Sequence, residues 1–87
     1  MEVLEMASST KNINVDVMNR ILKVLYEQSQ AKITNLAMSS GLNYNTCKRY
    51  LTLMKIFGWI DTSIEEKVTM ARITEAGRKI HNKLNDQ

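Results

Sequence analysis

The chain has 87 residues, 44% of them hydrophobic, with 12 Lys and Arg against nine Asp and Glu, for a net charge of +3. This composition describes one folded domain with a small core and excludes a disordered chain. The modest basic excess permits nucleic acid as a partner without requiring it. A single cysteine excludes an internal disulfide and fits a reducing, cytoplasmic setting. The N-terminal MEVLEMASS is acidic and lacks the apolar run of a secretory signal. LTLMKIFGWI is the most apolar stretch, Lys55 and Gly58 interrupt it, and no segment is suited to span a membrane.

Residues 1–13 read as a weakly patterned, flexible leader, and residues 14–87 as the domain. The first firm helix begins near Asn14 or Asp16, either of which can accept a backbone N–H as a cap, and continues to about Gln28. Val17, Met18, Ile21, Leu22, Val24 and Leu25 form a stripe wider than one packing face needs. Two readings follow: a helix sunk in its own core, or one shared between the core and a second protomer. A polar connection, Gln28 to Lys32, precedes a brief strand at Ile33, and Thr34 is expected to cap the second helix. Leu36 and Ala37 face inward there, and the small Ala37 lets two helices cross closely. Gly41 stands where a tight turn needs positive φ. Leu42 fills the gap between the two helices, and Asn43 caps a third helix that runs to about Phe57. Gly58 ends it as a left-handed residue.

The segment Thr34–Ile60 thus has the outline of a helix-turn-helix with its second helix offered to solvent. At about 100° per residue, Cys47, Tyr50, Leu51 and Met54 share one side of that helix. Asn45, Arg49 and Thr52 point the opposite way, with Thr46, Lys48 and Lys55 on the flanks. From Gln28 through Ile60 there is no Asp or Glu, although the chain holds nine acids. Lys32, Lys48, Arg49 and Lys55 all lie within this acid-free stretch.

After Gly58 the periodicity changes. Trp59–Thr62 and Val68–Ile73 read as two strands around a polar tip, Ser63 to Lys67. Thr69, Ala71 and Ile73 face one way, and Val68, Met70 and Arg72 the other. Thr74 caps a last helix, in which Ala76, Ile80 and Leu84 continue one apolar line from Ile73.

In sequence order these elements, together with I-T-N-L-A-M-S-S-G-L…C-K-R-Y-L…M-K-I-F-G-W-I from Ile33 to Ile60, resemble the winged helix-turn-helix family of DNA-binding proteins. The segment I-T-E-A-G-R-K-I, Ile73 to Ile80, is similar to the exit from the wing in small archaeal and bacterial transcriptional regulators. The resemblance spans about residues 16–84. It implies a mainly α fold with a small β-hairpin, ordered α1-(short β1)-α2-α3-β2-wing-β3-α4. It also implies a third helix in the major groove, a wing near the adjacent backbone, and first and last helices that serve as dimer surfaces. One feature departs from the family's pattern: the wing tip carries Glu65 and Glu66 beside Lys67, and carboxylates are repelled by phosphates.

The function this supports is a non-enzymatic DNA-binding protein, a transcriptional regulator whose partner is double-stranded DNA. Asn45 and Arg49 are the base-reading candidates, since Asn pairs bidentately with adenine and Arg with guanine. Tyr44, Thr46, Lys48 and Thr52 are placed to hold phosphates or a thymine methyl, which fixes register more than sequence, and Asn43, the cap, joins the same DNA-binding set; the competing reading of Tyr44 packs it over the turn. Lys55, Lys67 and Arg72, with Lys32, form a second tier of phosphate contacts. For each cation the competing reading is an ordinary solvated surface. A homodimer is expected through Asp16–Gln28 and Glu75–Asp86. Enzyme readings fail on inventory. There is no glycine-rich phosphate loop, and the lone His81, expected at the surface, has no partners for a metal or cofactor site. Cys47 reads as a small buried residue and Trp59 as core at the base of the hairpin. A different class remains open: a winged helix that docks proteins and never touches DNA, which the acidic wing tip and the wide first-helix stripe would suit. Structured-RNA or single-strand binding is weaker, because few aromatics are free for stacking.

Overall fold

Four helices and three short strands follow one another in the expected order in the computed structural model, which describes residues 13–86. They are α1 (Val15–Gln28), β1 (Gln30–Lys32), α2 (Ile33–Ser40), α3 (Tyr44–Ile56), β2 (Ile60–Glu65), β3 (Val68–Ile73) and α4 (Glu75–Asn85). The leader expected over residues 1–13 lies, Ile13 apart, outside the described residues.

Each long helix begins where a polar side chain satisfies its free N–H groups. Asn14 caps α1 through Asp16 and Val17, Asn43 caps α3 through Thr46, and Thr74 caps α4 through Gly77. The second helix departs from expectation. Thr34 lies inside it, and its cap position is Lys32, which makes no side-chain cap bond. Ile33 is likewise helical, and the strand lies one step earlier. Tertiary pairing moves it there: Gln30, Ala31 and Lys32 pair antiparallel with Arg72, Ala71 and Met70. The hairpin therefore becomes a three-stranded sheet with β3 at its centre.

One core joins all the elements. Ile21, Leu22 and Leu25 of α1 meet Leu36 of α2, Cys47, Leu51 and Met54 of α3, and Ile60, Ala71 and Ile73 of the sheet. The wide stripe of α1 is spent within the chain, because α1 contacts α2, α4, β1 and β3. Val17 and Val24 on the margin of the stripe are half-buried against this core. The reading of α1 as a helix sunk in its own domain accounts for the pattern.

The end of α3 is fastened to the start of α4 by a compact knot. The Thr74 hydroxyl donates to the Gly58 carbonyl at 2.6 Å and accepts from the Gly77 N–H at 3.0 Å. The Thr74 N–H donates to the Trp59 carbonyl at 3.0 Å. Gly58 is left-handed as expected, with φ 82°. Two residues of α4 differ from the sequence reading. Ala76 is exposed, and the inward line runs through Gly77, Ile80 and Leu84 instead. His81 is half-buried, stacked on Tyr26 of α1 with ring centroids 4.2 Å apart. The reason is that α1 and α4 pack side by side, which brings Tyr26 against the last helix.

The wing is also tighter than expected. Ser63, Ile64 and Glu65 stay paired with Met70, Thr69 and Val68, so the tip is only Glu66 and Lys67. Both have positive φ, 52° and 67°, as a two-residue primed hairpin turn requires.

Candidate nucleic-acid interface

The helix α3 is held from behind. Cys47, Tyr50, Leu51 and Met54 are buried beneath it, and the Tyr50 hydroxyl accepts the Asn14 N–H at 2.8 Å, which ties α3 to the start of α1. Burial pushes the Cys47 thiol up to about 11, which keeps it protonated and inert. The turn before α3 is equally fixed. Gly41 adopts φ 70°, ψ 34°, and the N–H of Leu42 reaches back to the Ala37 carbonyl at 2.9 Å.

With that side anchored, the opposite face of α3 is open. Asn45, Lys48, Arg49 and Thr52 are exposed, Thr46 is half-buried, and Tyr44 at the start of the helix is 44% exposed. Among the described residues, the side chains of Asn45, Lys48 and Arg49 make no hydrogen bond or ion pair, so their donors are free for a ligand. Thr52 is committed in part, since its hydroxyl donates to the Lys48 carbonyl at 3.0 Å and keeps only acceptor capacity. The Asn43 side chain is spent on the cap, at 2.8 Å from the Thr46 N–H. Thirteen residues make α3 long enough, about 20 Å, to lie across a major groove about 12 Å wide.

The second-tier cations are not gathered in one place. Lys55, at the end of α3, donates to the Thr62 hydroxyl of β2 at 3.1 Å. Lys67 is exposed at the wing tip, flanked by Glu65 and Glu66. Arg72 stands at the far end of β3, five residues and roughly 17 Å from Lys67. There it bonds the Gln30 side chain at 3.2 Å and lies across the strands from Asp61. Lys32 is exposed at the joint of β1 and α2. The structure thus gathers Asn45, Lys48, Arg49 and Thr52 on one face of α3, sets Lys55 at the helix end against β2, and disperses Lys67 and Arg72 to opposite ends of β3.

Sequence reasoning missed one neighbour of this face. Arg20 of α1 is exposed, and its Nη1 lies 3.4 Å from where a Cβ on Gly41 would stand. Nothing local marks it, because the approach depends on how α1 packs against α2. Two further features bear on what the molecule can do. No helix among the described residues is long and apolar enough to cross a membrane. A shallow groove of about 480 Å³, lined by Trp59, Ala76, Lys79, Ile80 and Lys83 among others, runs along α4 beside Trp59.

Solved structures share this arrangement. Sso10a-2, a DNA-binding protein from Sulfolobus solfataricus, superposes with a TM-score of 0.76 at 21% identity over 86% of this chain and 77% of its own. A MarR-family transcriptional regulator from Silicibacter pomeroyi gives a TM-score of 0.76 at 20% identity, over 79% of this chain and 48% of that one. The PcaV transcriptional regulator from Streptomyces coelicolor gives 0.74 at 17%, over 77% of this chain and 50% of that one. The chain therefore spans about half the length of these two regulators. At such identities the likeness speaks for the fold. A search of curated protein sequences returns no match. The sequence pattern described as winged helix-turn-helix matches residues 11–87, nearly the whole chain, which therefore belongs to the winged helix-turn-helix family.

Proposed function

We propose that this protein binds duplex DNA as a transcriptional regulator, without catalysis, by laying α3 in the major groove. The observation that carries the reading is the outer face of α3: Asn45, Lys48 and Arg49 are exposed, unpartnered among the described residues, and set in a stretch with no carboxylate from Gln28 to Ile60. In this reading Asn45 and Arg49 contact base edges, each worth roughly 1–3 kcal/mol of discrimination when well aligned. Tyr44, Thr46, Lys48 and Thr52 hold the backbone, and Asn43 sets the start of the helix. Lys55, Lys67 and Arg72 contribute less, because two are engaged within the fold and the third is flanked by acids. The DNA-binding and regulatory descriptions of the structural neighbours support the same reading. The test is fluorescence anisotropy on duplex DNA across a salt series, comparing wild type with Lys48→Ala/Arg49→Ala. Counterion release gives a log–log slope of about −0.9 per phosphate neutralised, so the double mutant should show a shallower slope. Absence of binding at low salt would remove the proposal.

A second reading has one observation in its favour. Ile56 is 73% exposed and Phe57 50%, and Phe57 lies against Trp59, whose ring borders the groove along α4. That surface suits a protein partner, and a second copy of the chain is the partner we propose. The α4 half of the expected dimer surface is available, whereas the apolar stripe of α1 is already covered within the chain.

A further inference from the structure

We infer that Arg20 is a second anchor for a DNA phosphate, placed on α1 yet acting at the turn that leads into α3. The inference rests on the DNA-binding reading above and adds to it a contact from outside the helix-turn-helix. Position is the first argument. The guanidinium lies over Gly41, 3.4 Å from the site of a missing Cβ, and Asn43 caps α3 two residues later. A helix-turn-helix presents the N-terminal part of its second helix to base edges, so the residues just before that helix stand at the lip of the groove, where the phosphates run.

Availability is the second argument. An arginine beside the end of α2 has an alternative task, donating to the last helical carbonyls. Arg20 does not take it up: the N–H groups of Gly41 and Leu42 serve the carbonyls of Met38 and Ala37, and the guanidinium donates to none of the helix-end carbonyls. Among the described residues Arg20 makes no hydrogen bond or ion pair, even with Asp16 one turn earlier on α1. Lys55, Arg72 and Arg78 differ, because each donates to a side chain of the fold, Thr62, Gln30 and Ser29. The planar guanidinium, with its fork of donors unspent, matches a phosphate's two oxygens. Gly41 is also part of the device. Any side chain there would be strained at φ 70°, so glycine holds the turn on which the guanidinium rests.

The experiment is duplex-DNA binding over a salt series with wild type, Arg20→Gln, Arg20→Lys and, as the comparator on α3, Arg49→Ala. For Arg20→Gln the expected slope is shallower by about 0.9, with affinity falling by the same factor on every duplex sequence. Arg20→Lys should restore the slope. Should Arg20→Gln keep the wild-type slope while Arg49→Ala weakens binding, the Arg20 anchor is overturned and the DNA reading stands. A lowered melting temperature with an unchanged slope would also overturn it, by assigning Arg20 to the turn alone. Absence of salt-dependent binding by the wild type overturns both.

Discussion

Gly77 shows how much one residue can decide. A Cβ built there would overlap the Trp59 carbonyl oxygen, a backbone atom that also accepts the Thr74 N–H. At an open helical site, replacing glycine by alanine gains about 1 kcal/mol from propensity. Here crowding against fixed backbone costs about 1–3 kcal/mol, so the second effect wins and Gly77→Ala should be destabilising. Urea unfolding measures this directly, and a raised midpoint would show that α4 can shift away from Trp59 without loss. The sequence displayed Thr74 as a cap and an apolar line from Ile73 through Ala76, Ile80 and Leu84, of which Ala76 proved exposed. It did not reveal that the third residue after the cap must be bare, because the reason lies in the chain before the hairpin. His81 was opaque for the same cause, since its partner Tyr26 is far away in sequence.

At the scale of elements, local signals were readable and pairing was not. The caps at Asn43 and Thr74 and the left-handed glycines at 41 and 58 announce themselves through chemistry within four residues, whereas α1 offered Asn14 and Asp16 alike and Thr34 only resembled a cap. Strand β1 has no such mark, because three residues become a strand only through Arg72, Ala71 and Met70. The wing tip misled in the opposite direction. Its charges suggested a longer loop, whereas the backbone closes over Glu66 and Lys67 with no glycine or asparagine to ease positive φ. A left-handed conformation costs an ordinary residue roughly 1–2 kcal/mol. Glu66→Asn/Lys67→Gly supplies the pair that this turn prefers, so the double variant should unfold at higher denaturant, by about 1 kcal/mol or more. A loss of stability would mean that the charged tip makes compensating contacts. DNA affinity of Lys67→Gly alone reports on the lysine: it should change little if the acid-flanked side chain stays off the backbone.

For the whole molecule, the proposed interface and the proposed self-association use opposite kinds of surface. The outer face of α3 was legible because it is local, periodic and free of carboxylates. The groove along α4 was not, because Trp59 enters from the hairpin while Ala76 and Ile80 come from the helix. If a second copy seats in that groove, burial of the Trp59 and Ile80 surfaces drives the association, with Lys79 and Lys83 left at the rim. Ala76 is exposed and in the groove, so a charge can be placed there without touching the core. Ala76→Lys should therefore convert dimer to monomer in sedimentation equilibrium while the monomer stays folded, its melting point falling only by the partner's lost contribution. Two α3 helices carried by one dimer would address half-sites about 34–36 Å apart. On a duplex with two half-sites, Ala76→Lys should then lose affinity, while on a single half-site it should match wild type. A wild type that sediments only as a monomer would instead leave the groove to another partner, and DNA would be read one site at a time.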